Sequence, residues 1–236
     1  MDAFVIDWLA LVVRWFHVIA GIAWIGASFY FIWLDLHLQT PPDWKAERGI
    51  KGDLWAIHGG GIYEVAKYHT RPEVMPDRLH WFKWEAYTTW LTGMGLAVLV
   101  YYFNAGVYLA GTEGPVSDAG MAVIASLAFV AAGPLVYEAA LRSPLAHSGR
   151  AFAAFVGVIV LTACAAAVWL FSPRAAFVHV GMLMGSIMAG NVFFGIIPSQ
   201  KAFIRAVESG RAPNLERMDE RSEEHTSELQ SHAPIS

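Results

Sequence analysis

The chain has 236 residues, of which 56% are hydrophobic and 15% are charged, and its formal net charge at pH 7 is -4. Soluble domains carry about 25% charged residues, so this composition predicts a membrane protein with short loops, and the small net charge gives no electrostatic footprint for nucleic acid. The single cysteine, Cys164, excludes an intrachain disulfide, a zinc site built from cysteines and covalent haem attachment through Cys-x-x-Cys-His.

Five apolar runs along the chain are long enough to cross a bilayer, which takes about 20 residues. Small residues recur in every run, and in lipid such residues let helix backbones approach and pack. We therefore predict an all-α fold, a polytopic helical membrane bundle with about five transmembrane helices. The predicted spans are residues 8–36, 84–108, 119–141, 150–171 and 175–204, with a long loop at 37–83.

The distribution of basic residues predicts the orientation. Lysine and arginine are concentrated in the loop at 37–83 and after the last run, whereas the loop at 109–118 has neither. By the positive-inside rule, the long loop and the C-terminal segment are cytoplasmic and the N-terminus lies outside. His17 and His179 then both fall in the outer half of the membrane.

These two histidines lie inside apolar runs, His17 in the first and His179 in the last. An ionisable side chain within a membrane span is costly and indicates function, and neutral imidazole is a common ligand of haem iron. Gly21 lies on the same helix face as His17 and leaves room for a flat macrocycle, while Arg14 can pair with a propionate. The alternative is that each histidine hydrogen-bonds to a neighbouring helix.

A second group of candidate residues lies in the long loop and where it leads into the second predicted span. Three consecutive glycines, 59–61, permit unusual backbone angles and close approach to a ligand. Residues 80–85 combine charges with aromatic rings, so a planar anion could bind there, or the segment could be re-entrant or amphipathic and anchored at the interface. Asn191 in the last run could orient a substrate amide or hydrogen-bond to another helix.

The C-terminal residues have a different character. Residues 221–232 read Arg-Ser-Glu-Glu-His-Thr-Ser-Glu-Leu-Gln-Ser-His, which looks like the translation of a common sequencing-library adapter. We therefore predict that residues 1–220 form the natural domain, that residues 221–236 are a disordered artefact outside functional reasoning, and that the natural protein continues further. The alternative is an ordinary polar tail.

Four segments resemble the N-terminal membrane domain of the membrane-bound bacterial urate oxidases, also called urate hydroxylases. The matching segments are Arg14–Tyr30, His58–Tyr63, His80–Tyr87 and Asn191–Lys201. The block His-Trp-Phe-Lys-Trp-Glu-Ala-Tyr is quite specific, whereas the block around His17 is also similar to the membrane protoporphyrinogen oxidases. The resemblance covers essentially residues 1–220.

This resemblance implies an oxidoreductase of purine catabolism that converts urate to 5-hydroxyisourate and passes electrons to cytochrome c or a terminal oxidase. It also implies a bacterial inner-membrane protein with about eight spans and a C-terminal c-type cytochrome domain that carries haem c. With the N-terminus in the periplasm, as the basic residues predict, eight spans place that domain in the periplasm. This chain departs from that pattern, since it has five predicted spans and no cytochrome domain, and a truncated reading frame accounts for the departure.

Haem b is the cofactor that we expect in this chain, with His17 and His179 as ligands and Arg14 and Gly21 beside it. The candidate catalytic residues facing urate are His80, Lys83 and Glu85. The candidate substrate-binding residues are Lys67, Arg78, Trp81 and Asn191. These assignments place the urate candidates towards the cytoplasm and the histidines towards the outside. Two other functions remain open: a haem-dependent enzyme like protoporphyrinogen oxidase, and a transporter or structural subunit without redox chemistry.

Overall fold

The computed structural model describes residues 3–111 and 114–209, and helices dominate this part of the chain, which confirms the predicted fold class. Its α-helices are α1 (Ala3–His37), α2 (Asp43–Ala46), α3 (Trp84–Leu96), α4 (Ala119–Leu141), α5 (Gly149–Leu170), α6 (Pro173–Gly190) and α7 (Ile197–Glu208). Three segments have the wider turns of a π-helix: Ala97–Tyr102, Ala105–Leu109 and Asn191–Ile196. Pro144–His147 has the tighter turn of a 3₁₀-helix.

Four helical stretches among the described residues are long and apolar enough to cross a membrane: Phe4–His37, Ala119–Leu141, Gly149–Leu170 and Pro173–Glu208. The segment at 84–108, predicted as the second span, is also helical but is not among these four. Glu85 and several threonines make α3 more polar, and the chain leaves helical geometry at Phe103 and Asn104 between two π-helical segments.

Contacts between side chains give the relative directions of the helices. Ring contacts pair Tyr101 with His179 and Tyr87 with Phe193, so α3 runs antiparallel to α6 and its π-helical continuation. The contacts of His17 with Gly93 and of Gly21 with Thr89 show that α1 is antiparallel to α3. The contacts of Ser126 with His179 and of Gly133 with Leu183 show that α4 is parallel to α6. Helices α1, α4 and α6 therefore share one direction and α3 has the opposite one, which is the arrangement expected if the segment at 84–108 crosses the membrane.

Small residues bring α4 and α6 together. A Cβ atom added to Gly133 of α4 would lie only 2.8 Å from Cγ of Leu183 on α6, so glycine sets the distance between these helices, as in other helix pairs that pack in lipid. A buried apolar cluster, which includes Tyr101, Leu109 and Phe171, lies near the N-terminal ends of the same two helices.

The loop at 37–83 contains a β-hairpin that the sequence analysis did not predict. Strands β1 (Ile50–His58) and β2 (Gly61–Tyr68) are antiparallel and are joined by a two-residue turn. The turn residues, Gly59 and Gly60, have φ values of +58° and +81°, as a type I′ turn requires. The unusual backbone angles expected of the glycine triplet therefore serve the hairpin turn.

Candidate functional site

A cavity of about 680 Å³ opens between α1, α3 and α6. This volume lies within the range of about 300–1,000 Å³ that is usual for ligand and cofactor sites. Most of the wall is apolar, and the polar side chains are few. The polar or aromatic side chains in the wall are Arg14, His17, Trp24, Thr89, Trp90, Tyr101, Arg174 and Ser186.

His17 is the residue of this cavity with the chemistry of a metal ligand. Its Nδ1 atom lies 3.0 Å from the backbone oxygen of Thr89 and 3.1 Å from Oγ1 of Thr92. A carbonyl oxygen can only accept a hydrogen bond, so Nδ1 carries the proton and donates it. Nε2 then holds a free electron pair and has no hydrogen-bond partner among the described residues. Metal-binding histidines are usually held in this way.

Gly93 on α3 allows the imidazole of His17 to lie against the helix. A Cβ atom added to Gly93 would be 3.0 Å from Cε1 of His17, so any other residue would push the ring away. Gly21, which was expected to make room for a macrocycle, does not line the cavity. It faces Thr89 instead, where an added Cβ would lie 3.8 Å from Cγ2.

Two arginines supply positive charge to the cavity. Arg14 comes from α1 and Arg174 from the first turn of α6, and neither forms an ion pair with a carboxylate among the described residues. The guanidinium carbon of Arg174 lies 4.9 Å from the ring centroid of Tyr108 and 5.9 Å from that of Tyr101, which is within cation–π range. The cavity is therefore suited to an anionic ligand.

His179 is separate from this cavity. It is fully buried, its Nε2 atom lies 2.6 Å from Oγ of Ser126 and its Nδ1 atom lies 2.8 Å from the oxygen of Ala175. Its ring stacks on Phe171 at a centroid distance of 4.2 Å. Both ring nitrogens are used inside the protein, which is the hydrogen-bonding alternative named above. This arrangement leaves no nitrogen free for iron, and its role as a ligand stays a prediction.

Glu85 and Asn191 share an unusual property. Oε2 of Glu85 and both polar atoms of the Asn191 side chain are buried and have no hydrogen-bond partner within residues 3–111 and 114–209. Glu85 lies one turn before Thr89, whose hydroxyl donates to the Glu85 backbone oxygen at 2.7 Å. The contact between Tyr87 and Phe193, with ring centroids 5.6 Å apart, brings the start of α3 beside the π-helical segment that Asn191 begins.

The structure does not bring the remaining substrate candidates together. Lys67 pairs with both carboxylate oxygens of Asp35 at 2.8 Å, and Arg78 is exposed in a coil segment. His80 is exposed and packs edge-on against Phe82. Nζ of Lys83 lies 5.6 Å from the ring centroid of Trp84, and the half-buried Trp81 lies two residues before Lys83.

Six polar or aromatic residues of the cavity wall were not among the candidates from sequence: Trp24, Thr89, Trp90, Tyr101, Arg174 and Ser186. Nε1 of Trp90 donates to Oγ of Ser186 at 2.9 Å and so joins α3 to α6. The position of Arg174 gave a usable signal, because it is an arginine in the first turn of a long apolar helix. Trp90 and Ser186 carried no such signal, since they meet only through the pairing of the two helices.

The chain matches a known protein family. A family model described as "Urate oxidase N-terminal" matches residues 3–228, a range that includes every helix and strand described above. No curated protein and no solved structure matches the chain significantly. The matched range runs past residue 220, the boundary predicted for the natural domain. Residues 210–236 lie outside the described part of the chain, so the adapter interpretation stays a prediction.

Proposed function

The chain belongs to the urate oxidase N-terminal family, and from this we propose that it is the membrane part of an enzyme that oxidises urate to 5-hydroxyisourate. The electrons would pass to cytochrome c and the respiratory chain. The family match supports the urate-related oxidase activity. The four long apolar helices and the asymmetry of basic residues support an inner-membrane location with the N-terminus in the periplasm.

The cavity between α1, α3 and α6 is the site that we propose for haem b. The observation that carries this proposal is the free Nε2 of His17, whose ring is held by the Thr89 carbonyl. Arg14 and Arg174 would pair with the two propionates. Gly93 leaves room for the imidazole ring of His17, the proposed iron ligand. Bound there, haem supplies the capacity to accept electrons that side chains lack.

The protein's own side chains bind urate and handle protons. Addition of water to urate with loss of an electron pair also releases a pair of protons, so a base is needed near the substrate. Glu85 has a buried carboxylate oxygen without a partner and is our candidate for this base. Asn191 would hold an N–H and C=O edge of the substrate through its amide. His80 and Lys83 lie next to Glu85 in the chain and remain candidates for guiding the urate anion.

The same cavity favours one other function. A porphyrinogen also carries two propionates, so Arg14 and Arg174 suit a tetrapyrrole substrate as well as a haem. In that case the chain would be an enzyme like protoporphyrinogen oxidase. The two functions differ in the substrate that is oxidised, which would be urate in the first and a porphyrinogen in the second.

The visible spectrum of the purified chain tests the haem site. We expect a Soret band in the wild-type protein, and we expect His17→Ala to lose it. His17→Gly should regain the band when imidazole is added, because free imidazole can take the place of the missing ring. His37→Ala is the matched control, since His37 ends the same helix and bonds only to the Trp33 carbonyl at 2.7 Å. A Soret band that survives unchanged in His17→Ala would contradict the proposed ligand.

The activity is tested in membranes that contain the chain. Urate loss should accompany the reduction of added cytochrome c or of an artificial acceptor, and protoporphyrinogen should not replace urate. A haem-loaded protein that oxidises protoporphyrinogen but not urate would favour the second function. A protein without either activity and without haem would rule out both.

A further inference from the structure

The β-hairpin carries exposed apolar side chains at its end. Ile57 and Ile62 are cross-strand partners next to the turn, and Trp55 lies two residues before Ile57 on the same face. Their exposed fractions are 78%, 74% and 61%, respectively. We call these three residues the tip patch. Soluble surfaces rarely expose a group of large apolar residues, and such a patch usually marks a binding surface.

The base of the same hairpin face is polar and already satisfied. Lys45 of α2 is buried, and its ammonium group pairs with Asp53 of β1 and Glu64 of β2. Hydrogen bonds to these two carboxylates raise the pKa of Lys45 above its ordinary value, so the ion pairs persist at neutral pH. Nζ of Lys45 also lies 5.4 Å from the ring centroid of Trp55. The hairpin is therefore amphipathic along its length, with paired charges at the base and apolar groups at the tip.

Two contacts fix the hairpin beside the end of α1. Nζ of Lys67 bonds to both oxygens of Asp35, at 2.8 Å each. Gln39 and Asp53 exchange backbone hydrogen bonds of 2.8 and 3.1 Å. Helix α1 ends at His37, so the hairpin is attached where a helix long enough to span a membrane ends. Strands rise about 3.3 Å per residue, which puts Trp55 about 7 Å and Ile57 about 13 Å from the attachment at Asp53.

We propose that the tip patch inserts into the boundary between lipid headgroups and acyl chains on the side of the membrane where α1 ends. Indole rings favour this boundary. The aliphatic side chains of Ile57 and Ile62 beside the tight turn can enter it without carrying a charged group into the lipid. Exposed basic residues near the base, Arg48 and Lys51, would lie at the level of the headgroups and favour anionic lipid. This inference rests on the proposed membrane location of the chain.

Lipid-dependent quenching of a single fluorophore tests the insertion. Cys164→Ser removes the one cysteine, and Ile57→Cys then takes a nitrobenzoxadiazole label in the full chain, reconstituted in vesicles of phosphatidylcholine and phosphatidylglycerol. We expect blue-shifted emission and several-fold stronger quenching by lipids with a shallow doxyl group than for His58→Cys. His58 is the matched control, because it is exposed and the next residue on β1, so its side chain points to the opposite face.

A second label separates this inference from the membrane location itself. Leu161 lies in the middle of α5 and is 71% exposed, so a label at Leu161→Cys should be quenched by a deep doxyl group if α5 spans the bilayer. Quenching at position 161 without quenching at position 57 would overturn the tip insertion alone. Blue-shifted but unquenched emission at position 57 would indicate a protein contact and would overturn it as well. No quenching at position 161 would contradict the membrane location and the inference together.

Discussion

The side chain of Asn191 is buried with its oxygen and its nitrogen both unpartnered among the described residues. A buried polar group without a hydrogen bond costs about 1–3 kcal/mol, so this position carries a cost that simple packing does not explain. A hydrogen bond to a neighbouring helix, the structural alternative for a buried asparagine, is not formed here. A ligand that presents a donor beside an acceptor, as the edge of urate does, would satisfy both atoms.

Asn191→Leu tests this role, because leucine has a similar volume and no polar atoms. We expect KM for urate to rise roughly 5- to 150-fold, which corresponds to the loss of about 1–3 kcal/mol of hydrogen bonding. Bound haem, measured by absorbance, should be unchanged. Ser199→Ala is the control, since the Ser199 hydroxyl donates to the backbone oxygen of Gly195, four residues earlier in the chain, at 2.9 Å. An active Asn191→Leu protein with an unaltered KM would contradict the proposed role of Asn191 in binding urate.

His17 and His179 show what a sequence can predict about a single residue. Both lie in apolar helical runs, and the cost of a polar group in lipid singled out both of them. Their different surroundings come from other helices: Ser126 of α4 binds Nε2 of His179, whereas no described residue binds Nε2 of His17. Which histidine keeps a free nitrogen therefore depends on helix packing, and the pattern along one helix does not contain that information.

The contact between α1 and α3 illustrates how one element positions a residue of another. The ring of His17 fits against α3 only because Gly93 has no side chain. Helix α3 also provides the Thr89 carbonyl that orients the ring. The site on α1 therefore depends on the backbone of α3, and a substitution on α3 can disturb it without touching a ligand.

Gly93→Ala should lower haem binding for this reason. The new Cβ would meet Cε1 of His17 at 3.0 Å and push the ring from its place, so we expect a weaker or shifted Soret band with little change in the amount of folded protein. Gly95→Ala is matched in chemistry and helix, but its Cβ would meet Cγ1 of Val13 at an ordinary 3.7 Å. Equal spectra for the two variants would show that the close contact at Gly93 does not matter.

The elements themselves were predicted unevenly. The long apolar helices follow from hydropathy, and α4 was predicted with the bounds 119–141 that the structure has. The hairpin at 50–68 was missed although Trp55 and Ile57 alternate with smaller or polar residues before a glycine pair, which is a hairpin signal. The π-helical segments and the break at Phe103 and Asn104 were not predicted, because hydropathy shows that a segment is apolar but not which helical hydrogen-bonding pattern its backbone adopts.

At the scale of the molecule, helix direction changes the relation between the two groups of candidate residues. The sequence placed the histidines and the urate candidates towards opposite sides of the membrane. In the structure, the antiparallel packing of α1 on α3 puts His17 level with Thr89 and Thr92. Glu85 is one turn before Thr89, or about 6 Å along the helix axis. The proposed haem ligand His17 and the proposed base Glu85 are thus close in depth.

The proposed orientation predicts which loops are accessible from each side. In the Cys164→Ser background, Ser117→Cys should react with an impermeant maleimide in intact spheroplasts, because Ser117 is exposed in the loop that the sequence places outside. His147→Cys, exposed in the turn between α4 and α5, should react only after lysis. The opposite result would reverse the orientation, and equal labelling of both residues before lysis would contradict a span at 119–141.

Among the described residues, helix α1 packs mainly against α3 and the π-helical segment after it, so one of its long sides has no neighbour in this part of the chain. The cavity has Arg14 and His17 on α1 and Arg174 on α6, and a ligand held by all three would join α1 to the far side of the bundle. Binding of the ligand is then thermodynamically linked to the packing of α1 on the bundle. The ligand at free concentration [L] stabilises this packing by RT ln(1 + [L]/Kd). In hydrogen exchange, amides of α1 would become protected as haem is added, while those of α4 and α5 would not change.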